Sequence, residues 1–138
     1  MWNKMFRPMD VLQRGLSAAW TRNAVIRNNI ANVETPGFKA SYVEFESHFK
    51  RAAEESSSIR AARTHPDHIE FTTYAGNLME ISPIIRQSRE LSMRKDGNNV
   101  DIESENVRLA QNSLFYNTLV EKMNSELRRL RMAISEGR

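Results

Sequence analysis

The chain has 138 residues, a net charge of +3 and no cysteine. This length suits one domain with a modest core, and the lack of cysteine excludes disulfides, thiolate chemistry and zinc–thiolate sites. The first twenty residues contain no uninterrupted apolar run of signal-peptide type, and nowhere do 18 consecutive apolar residues occur. We therefore expect neither a cleaved signal peptide nor a membrane-spanning helix.

The excess positive charge is concentrated at the N-terminus. Residues 1–32 contain five basic residues and a single acidic one, Asp10, whereas the rest of the chain is close to neutral. A basic face of this kind can contact nucleic acid, anionic lipid or an acidic protein surface, or it can simply be solvated.

The N-terminal apolar residues predict an amphipathic helix. They follow a heptad spacing in which one position is polar, Asn23. Asp10, after Pro8, is a candidate N-cap. We expect a helix of about 22 residues, roughly 33 Å long. Its apolar stripe consists of Met9, Leu12, Leu16, Ala19, Ile26 and Ile30.

A longer helix is predicted at the C-terminus. Its stripe has the same heptad spacing, interrupted by Ser113, with Asp101 as the N-cap and Gly137 as the terminating residue. At roughly 50 Å it would be longer than the N-terminal helix. The apolar members of this stripe are Leu109, Tyr116, Val120, Met123, Leu127, Leu130 and Ile134.

The two narrow stripes predict the fold class. Because a narrow heptad stripe packs against a partner helix, we expect a mostly α protein whose terminal helices pair antiparallel as a coiled-coil-like hairpin. Residues 1–32 and 100–138 would form one discontinuous domain, connected by residues 33–99. The surplus length of the second helix suggests that other subunits supply further helices.

The connecting region is predicted to be a mixture of short elements. An aromatic series favours a short helix from Ser41 to Ala53, and alternating residues favour a small β-hairpin formed by 68–74 and 78–82. Residues 94–99, "RKDGNN", read as a polar turn before the last helix. The aromatic series is Phe38, Tyr42, Phe45 and Phe49.

The sequence contains no constellation typical of catalysis, and we predict no enzyme activity, metal or cofactor. There is no glycine-rich phosphate loop and no nucleophile elbow. His65 and His68 form the one pair that resembles a metal site, but Pro66 opposes helical geometry and further ligands are missing, so a solvated loop is the better interpretation. A small basic helical hairpin that binds nucleic acid is the alternative function, although its basic runs are short.

The segment "NNIANVETPGFKA", residues 28–40, ends the first helix in an unusual way. Proline restricts the preceding Thr35 to extended conformations, and the Pro-Gly pair supports a tight turn with glycine at positive φ. A turn does not account for the asparagines, whose side chains can satisfy backbone groups of a neighbouring chain. We therefore interpret the segment as a joint between subunits. These asparagines are Asn28, Asn29 and Asn32.

The same segment resembles the N-terminal signature of the axial proteins of the bacterial flagellum, the family of rod, hook and hook-associated proteins. In that family a long helix ends in Asn-Ile-Ala-Asn followed by Thr-Pro-Gly-Phe or Tyr, as in residues 29–32 and 35–38 here. Residues 95–138 are similar to the C-terminus of the first proximal-rod protein of the basal body. That match consists of Asp-Gly-Asn-Asn-Val-Asp and then Leu109, Ala110, Asn112 and Tyr116.

The resemblance implies a structural subunit of the periplasmic rod that assembles helically through its terminal helices after type III export. The implied partners are other copies of the chain, neighbouring proximal-rod proteins, an adaptor protein, and membrane-ring and export-gate components, with no nucleic acid and no direct membrane insertion. We expect the contacts to involve the joint and the two stripes. The named residues are Leu12, Leu16, Asn28, Asn29, Ile30, Asn32, Thr35, Pro36, Gly37, Phe38, Tyr116, Val120, Met123, Leu127, Leu130 and Ile134.

The C-terminal stripe can be tested by introducing charge. We expect Leu127→Asp and Leu130→Asp each to abolish assembly while export continues, because each places a carboxylate in a seam at a cost of several kcal/mol, as an order of magnitude. Swimming assays combined with detection of the exported chain measure the two effects separately. Motile cells carrying either substitution would contradict the seam assignment.

Overall fold

The computed structural model describes residues 2–57, 81–90, 92 and 94–135, with the side chains in these ranges other than those of residues 2–7 and 55–57. Within these ranges the fold is mostly α, as predicted. The elements in chain order are α1 (Trp2–Ala31), β1 (Ser41–Glu44), α2 (Glu46–Ser57), β2 (Ile84–Gln87) and α3 (Ile102–Ser135).

The two terminal helices pair in an antiparallel arrangement, which confirms the predicted hairpin of helices; we call this pair the stem. A Cβ placed on Gly15 would lie 3.2 Å from Leu119 Cδ1. Farther along α1, the Asn112 amide donates to the carbonyl oxygen of Ala19 over 2.9 Å, and Asn29 contacts Glu105 near the end of the helix. From Gly15 to Asn29 the residue number rises along α1, while the number of the contacting residue on α3 falls from 119 to 105, as in an antiparallel pair.

The face that α3 buries in the stem shares one of the two rows of the predicted stripe. Leu127 and Ile134, which belong to the other row, are 45% and 65% exposed in the single chain and stay predicted contacts of the assembly. Val120, of the same row, is half-buried. The buried and half-buried heptad positions are Glu105, Leu109, Asn112, Tyr116, Leu119, Met123, Glu126 and Leu130.

The stem is narrow where α1 contributes small residues to it. Gly15 and Ala19 are buried, whereas the predicted stripe residues Leu12 and Leu16 are half-buried. Because the spacing of packed helices depends on the side chains at the contact, these two residues allow α1 and α3 to approach closely. The space beside Gly15 is occupied by Leu119 of α3.

The first helix begins earlier than expected. It starts at Trp2 and passes through Pro8, so the predicted start with Asp10 as N-cap was wrong. Proline in a helix removes one main-chain hydrogen bond and disfavours helix at the residue before it, but neighbouring turns can still continue the helix at a cost in stability. As a result α1 has 30 residues and α3 has 34, so the two helices are similar in length.

The start of α3 agrees with the sequence prediction. The carboxylate of Asp101 accepts a hydrogen bond from the Glu103 main-chain N–H over 3.1 Å, which is the geometry of an N-cap. The helix begins at Ile102, the next residue. Gly137, its predicted terminating residue, lies outside the described residues.

The predicted helix from Ser41 to Ala53 is divided into strand β1 and helix α2, which corrects that prediction. Val43 and Phe45 are buried while Tyr42 is exposed, the alternation expected of a strand. The ring of Phe45 stacks on Phe49 with centroids 5.6 Å apart. The small core around them is completed by Ala18 and Val25 of α1, with Phe49 and Ile81 packed against it.

The observed strand pair joins distant parts of the chain. β1 pairs antiparallel with β2, with Ser41 opposite Gln87 and Glu44 opposite Ile84. A hydrogen-bonded ion pair between Arg86 and Glu44 crosses this sheet, and that hydrogen bond lowers the pKa of the Glu44 carboxyl. The predicted hairpin of residues 68–74 and 78–82 lies outside the described residues, except for residues 81 and 82, which belong to no strand.

No helix in the described ranges is long and apolar enough to cross a membrane. No group of three or more histidine, cysteine, aspartate or glutamate side chains in the same ranges could hold a metal ion. His65 and His68 lie outside these ranges.

The close contact at Gly15 can be tested by enlarging the residue. We expect Gly15→Leu to lower the free energy of unfolding by about 1–3 kcal/mol, because the added side chain collides with Leu119 and separates the helices. Gly15→Ala should stay close to the wild type, since its gain in helix propensity of about 1 kcal/mol offsets the tighter contact. Chemical unfolding followed by circular dichroism measures both.

The matched control for this test is Ser17→Leu, which adds the same side chain at an exposed position of the same helix. If Gly15→Leu unfolds at the same denaturant concentration as Ser17→Leu, the helices do not depend on the small residue for their spacing.

Candidate functional site

The two loops that flank the stem lie against each other; we call this contact the junction. It comprises residues 29–41, from the end of α1 to β1, and residues 94–105, which lead into α3. Main-chain hydrogen bonds connect the two sides, from Gly37 N to Asp96 O over 2.8 Å and from Asn99 N to Phe38 O over 3.3 Å. The two segments that carried the family resemblance are therefore in direct contact.

A glycine stands on each side of the junction. Gly37 has φ 74° and Gly97 has φ 77°, in the left-handed region that other residues rarely adopt. A Cβ on Gly97 would lie 3.8 Å from Gly37 Cα, so the backbones approach closely at this point. The positive φ that the Pro-Gly turn predicts for Gly37 is thus confirmed. Gly97, in the other segment of the junction, has the same backbone conformation.

Asn98 lies at the centre of the junction and is completely buried. Its side-chain amide donates to the carbonyl oxygens of Asn32, Val33 and Thr35 over 2.9, 3.0 and 2.9 Å. Its side-chain oxygen accepts from Val100 N over 2.7 Å. The last carbonyl groups of a helix lack partners within the helix. Asn98 supplies donors just beyond the end of α1, from a position 66 residues from Asn32.

Asn29 is the second completely buried asparagine and connects three elements. Its amide donates to Ser41 O over 2.7 Å and to Glu105 Oε2 over 3.1 Å, and its oxygen accepts from Ser41 N over 2.9 Å. The carboxylate of Glu105, also buried, accepts a further bond of 2.7 Å from Arg108. Because a buried charge is tolerated when it is paired and hydrogen-bonded, this cluster fixes α1, β1 and α3 together.

Further polar contacts extend the junction toward β2. The side-chain oxygen of Asn99 accepts from Ala40 N over 2.7 Å, and its amide donates to Glu90 O over 3.2 Å. Lys39 donates to Gly97 O over 2.8 Å. The segment before α3 is therefore held by both ends of the connecting region.

The chain has close relatives among known proteins. A family model described as flagella basal body rod protein matches residues 9–39. The flagellar basal body rod protein FlgB of Bacillus subtilis (strain 168) is 35% identical over 127 residues, which cover 92% of each chain. FlgB of Borrelia hermsii is 36% identical over 110 residues, or 78% of this chain and 81% of the relative. FlgB of Aeromonas hydrophila is 32% identical over 128 residues, covering 93% and 92%.

The chain belongs to the FlgB family of flagellar basal body rod proteins. The predicted resemblance is thereby confirmed, as is the predicted function of a structural rod subunit. Nothing in these comparisons supports the alternative of a nucleic-acid-binding hairpin. The relatives are named as rod proteins and not as enzymes.

The joint residues of this FlgB-family chain fall into three groups, which are buried, half-buried and exposed. Asn29 turns inward, with its bonds made inside the chain, so its side chain offers no surface to a neighbour in this conformation. Asn32 is half-buried, and its amide donates to Asn28 O over 2.8 Å. Asn28, Thr35, Pro36 and Gly37 are exposed, whereas Ile30 and Phe38 are half-buried. The exposed residues stay predicted contacts between subunits.

The sequence analysis did not predict the hydrogen-bonding roles of Asn98, Asn99, Asn112 and Glu105. The sequence places Asn98 and Asn99 in a polar turn, Asn112 in the motif of the family resemblance and Glu105 in the predicted last helix, without a partner for any of them. One signal was available: the pair Asn98-Asn99 follows a glycine and precedes a helix, and asparagine at a helix terminus favours bonds to nearby backbone groups. The partner of each asparagine could not be inferred from that pattern.

The capping role of Asn98 can be tested by removing its donors. We expect Asn98→Ala to lower the free energy of unfolding by about 2–3 kcal/mol, because the buried Val100 N–H loses its acceptor and the carbonyl groups of Asn32 and Val33 each lose a donor. Asn98→Asp should be at least as damaging, since a carboxylate would face those carbonyl oxygens. Urea unfolding measures the change, with Asn106→Ala, exposed on α3, as the control. An Asn98→Ala protein as stable as that control would contradict the role.

Proposed function

We propose that the chain assembles helically in the periplasmic rod through the outward faces of α1 and α3, with the junction holding these two helices in a fixed relation. The observation that carries this proposal is the apolar surface that one chain leaves exposed on the stem. The exposed side chains include Trp20 at 70%, Leu114 at 68%, Ile134 at 65%, Met132 at 52% and Leu127 at 45%.

This surface is distributed along the stem and is not confined to one patch. Leu114 lies midway along α3, and Ile134 lies near its end. Exposed apolar surface that continues along a helix pair is typical of a contact with other helices. A contact between different surfaces of two identical copies produces an open helical filament if rotation does not close it into a ring. A rod is an assembly of that kind.

The junction supports the same proposal because it fixes the stem without using that surface. Its asparagines bond within the chain, and the exposed residues of the turn, including Thr35 and Pro36, remain at the surface for a neighbouring subunit. We infer that the partners are further copies of this chain, neighbouring proximal-rod proteins, an adaptor protein, and membrane-ring and export-gate components. We also infer export through the flagellar type III apparatus without a cleaved signal peptide.

The proposal can be tested in cells from which the gene for this chain has been deleted. We expect the deletion to abolish swimming, the plasmid-borne chain to restore it, and purified basal bodies to contain the chain at an unprocessed mass. In the same cells with the type III export gate inactivated, the chain should remain in the cytoplasm. Deletion cells that still swim, or a chain that leaves the cytoplasm without the export gate, would contradict it.

A further inference from the structure

The side of α3 that faces away from α1 contains a hole bordered by four side chains. Positions i, i+3, i+4 and i+7 of a helix surround a hole that accepts one side chain of a packed helix. On α3, Val107 and Leu114 are 56% and 68% exposed, and Ala110 and Gln111 between them are also exposed. The small side chain of Ala110 leaves space for a bulky residue.

Trp20 on α1 is a side chain of the size that this hole admits. It is 70% exposed, although burial of a tryptophan contributes strongly to protein contacts. Trp20 does not reach the hole of its own chain. Val107 and Leu114 each follow a buried stem residue by two positions, Glu105 and Asn112, and are therefore about 200° around the helix from the side that meets α1.

Trp20 and the hole each have a charged residue seven positions away along their helix. Arg27 is exposed and follows Trp20 by seven residues; Glu103 is exposed and precedes Ala110 by seven. Seven residues of helix span about 10.5 Å. Within the described part of the chain, neither Arg27 nor Glu103 has an ion-pair partner. If Trp20 enters the hole between antiparallel helices, the arginine and the glutamate meet.

We propose that Trp20 of one copy inserts into the hole formed by Val107, Ala110, Gln111 and Leu114 of a second copy, with Arg27 paired to Glu103. This inference rests on the proposed helical assembly and specifies its contact. Subunits of a filament point the same way along its axis. Because α1 and α3 are antiparallel within each chain, α1 of one copy then runs antiparallel to α3 of the next, as the pairing requires. The contact joins different surfaces and continues from copy to copy.

The lack of native cysteine allows a direct test with two single-cysteine variants. Arg27→Cys and Glu103→Cys are produced together in the deletion cells, and the purified basal bodies are oxidised with copper phenanthroline. No chain contains both cysteines, so a disulfide between them joins two copies and is seen as a dimer on a non-reducing gel. The control pair is Arg27→Cys with Glu121→Cys, which is also exposed on α3 but 18 residues from Glu103, about 27 Å along the helix.

We expect a dimer from the first pair and none from the control pair. A charge exchange gives a second measurement: Arg27→Glu and Glu103→Arg should each lower the amount of chain in basal bodies roughly two- to fivefold, as for an exposed ion pair, and the double variant should restore it. Trp20→Ala should lower it further than either charge variant.

The failure of this inference differs from a failure of the proposed function. If the unmodified chain does not enter basal bodies, the proposed function is wrong. If it enters them but the first pair gives no dimer and the charge exchange restores nothing, the contact is wrong and the function stands. A disulfide from the Arg27→Cys chain to a different polypeptide bearing its own cysteine, without the dimer, would also overturn the assignment to a second copy.

Discussion

The fold depends on the carboxamide of Asn98, which supplies hydrogen-bond donors where α1 ends. Helix termini leave carbonyl groups that must find partners, and a buried carbonyl without one is costly. Here the segment that leads into α3 adds one donor, Asn98, to the carbonyl groups of Asn32, Val33 and Thr35. These groups also accept from Thr35 N, Arg94 and Phe38 N respectively. One side chain therefore links the end of the first long helix to the start of the last, and Asn29 reinforces this link through Ser41 and Glu105.

The stem combines small and polar residues with large apolar ones. Gly15 and Ala19 set a close contact, and Asn112 bonds to the backbone of α1. Several large apolar side chains nevertheless lie outside this contact and stay exposed, among them Trp20, Leu114 and Ile134. The apolar side chains that would stabilise an isolated hairpin are instead available to other chains. In such a subunit, polar contacts hold the two long helices in place, and exposed apolar side chains are left for the proposed assembly.

Much of this fold could be predicted from the sequence, because the strongest signals are local. The heptad pattern gave the two helices and their antiparallel pairing, Asp101 marked the start of α3, and the Pro-Gly pair required a positive φ at Gly37. The predictions failed where local pattern and tertiary context differ. Leucine and isoleucine dominate a periodicity argument, so the predicted stripes included Ala19 but not Gly15 or Asn112, which also form the contact. The strand that pairs with β1 is distant in the chain: Glu44 lies opposite Ile84, 40 positions later, and Ser41 lies opposite Gln87, 46 positions later. No local rule indicates this pairing. The roles of Asn98 and Asn29 likewise depend on contacts across 66 and 76 residues.

These long separations have a consequence for the order in which structure is acquired. The bond between Asn112 and Ala19 spans 93 residues, and those from Asn29 to Glu105 and from Asn98 to Asn32 span 76 and 66. Loop-closure entropy must be overcome before such contacts contribute any stability, so a chain in which they dominate acquires its tertiary structure late. If such a chain passes through a narrow channel one terminus first, the residues that pass first cannot form these long-range contacts until the rest of the chain has followed. The topology itself thus delays tertiary folding of any chain that passes through a narrow channel one terminus first.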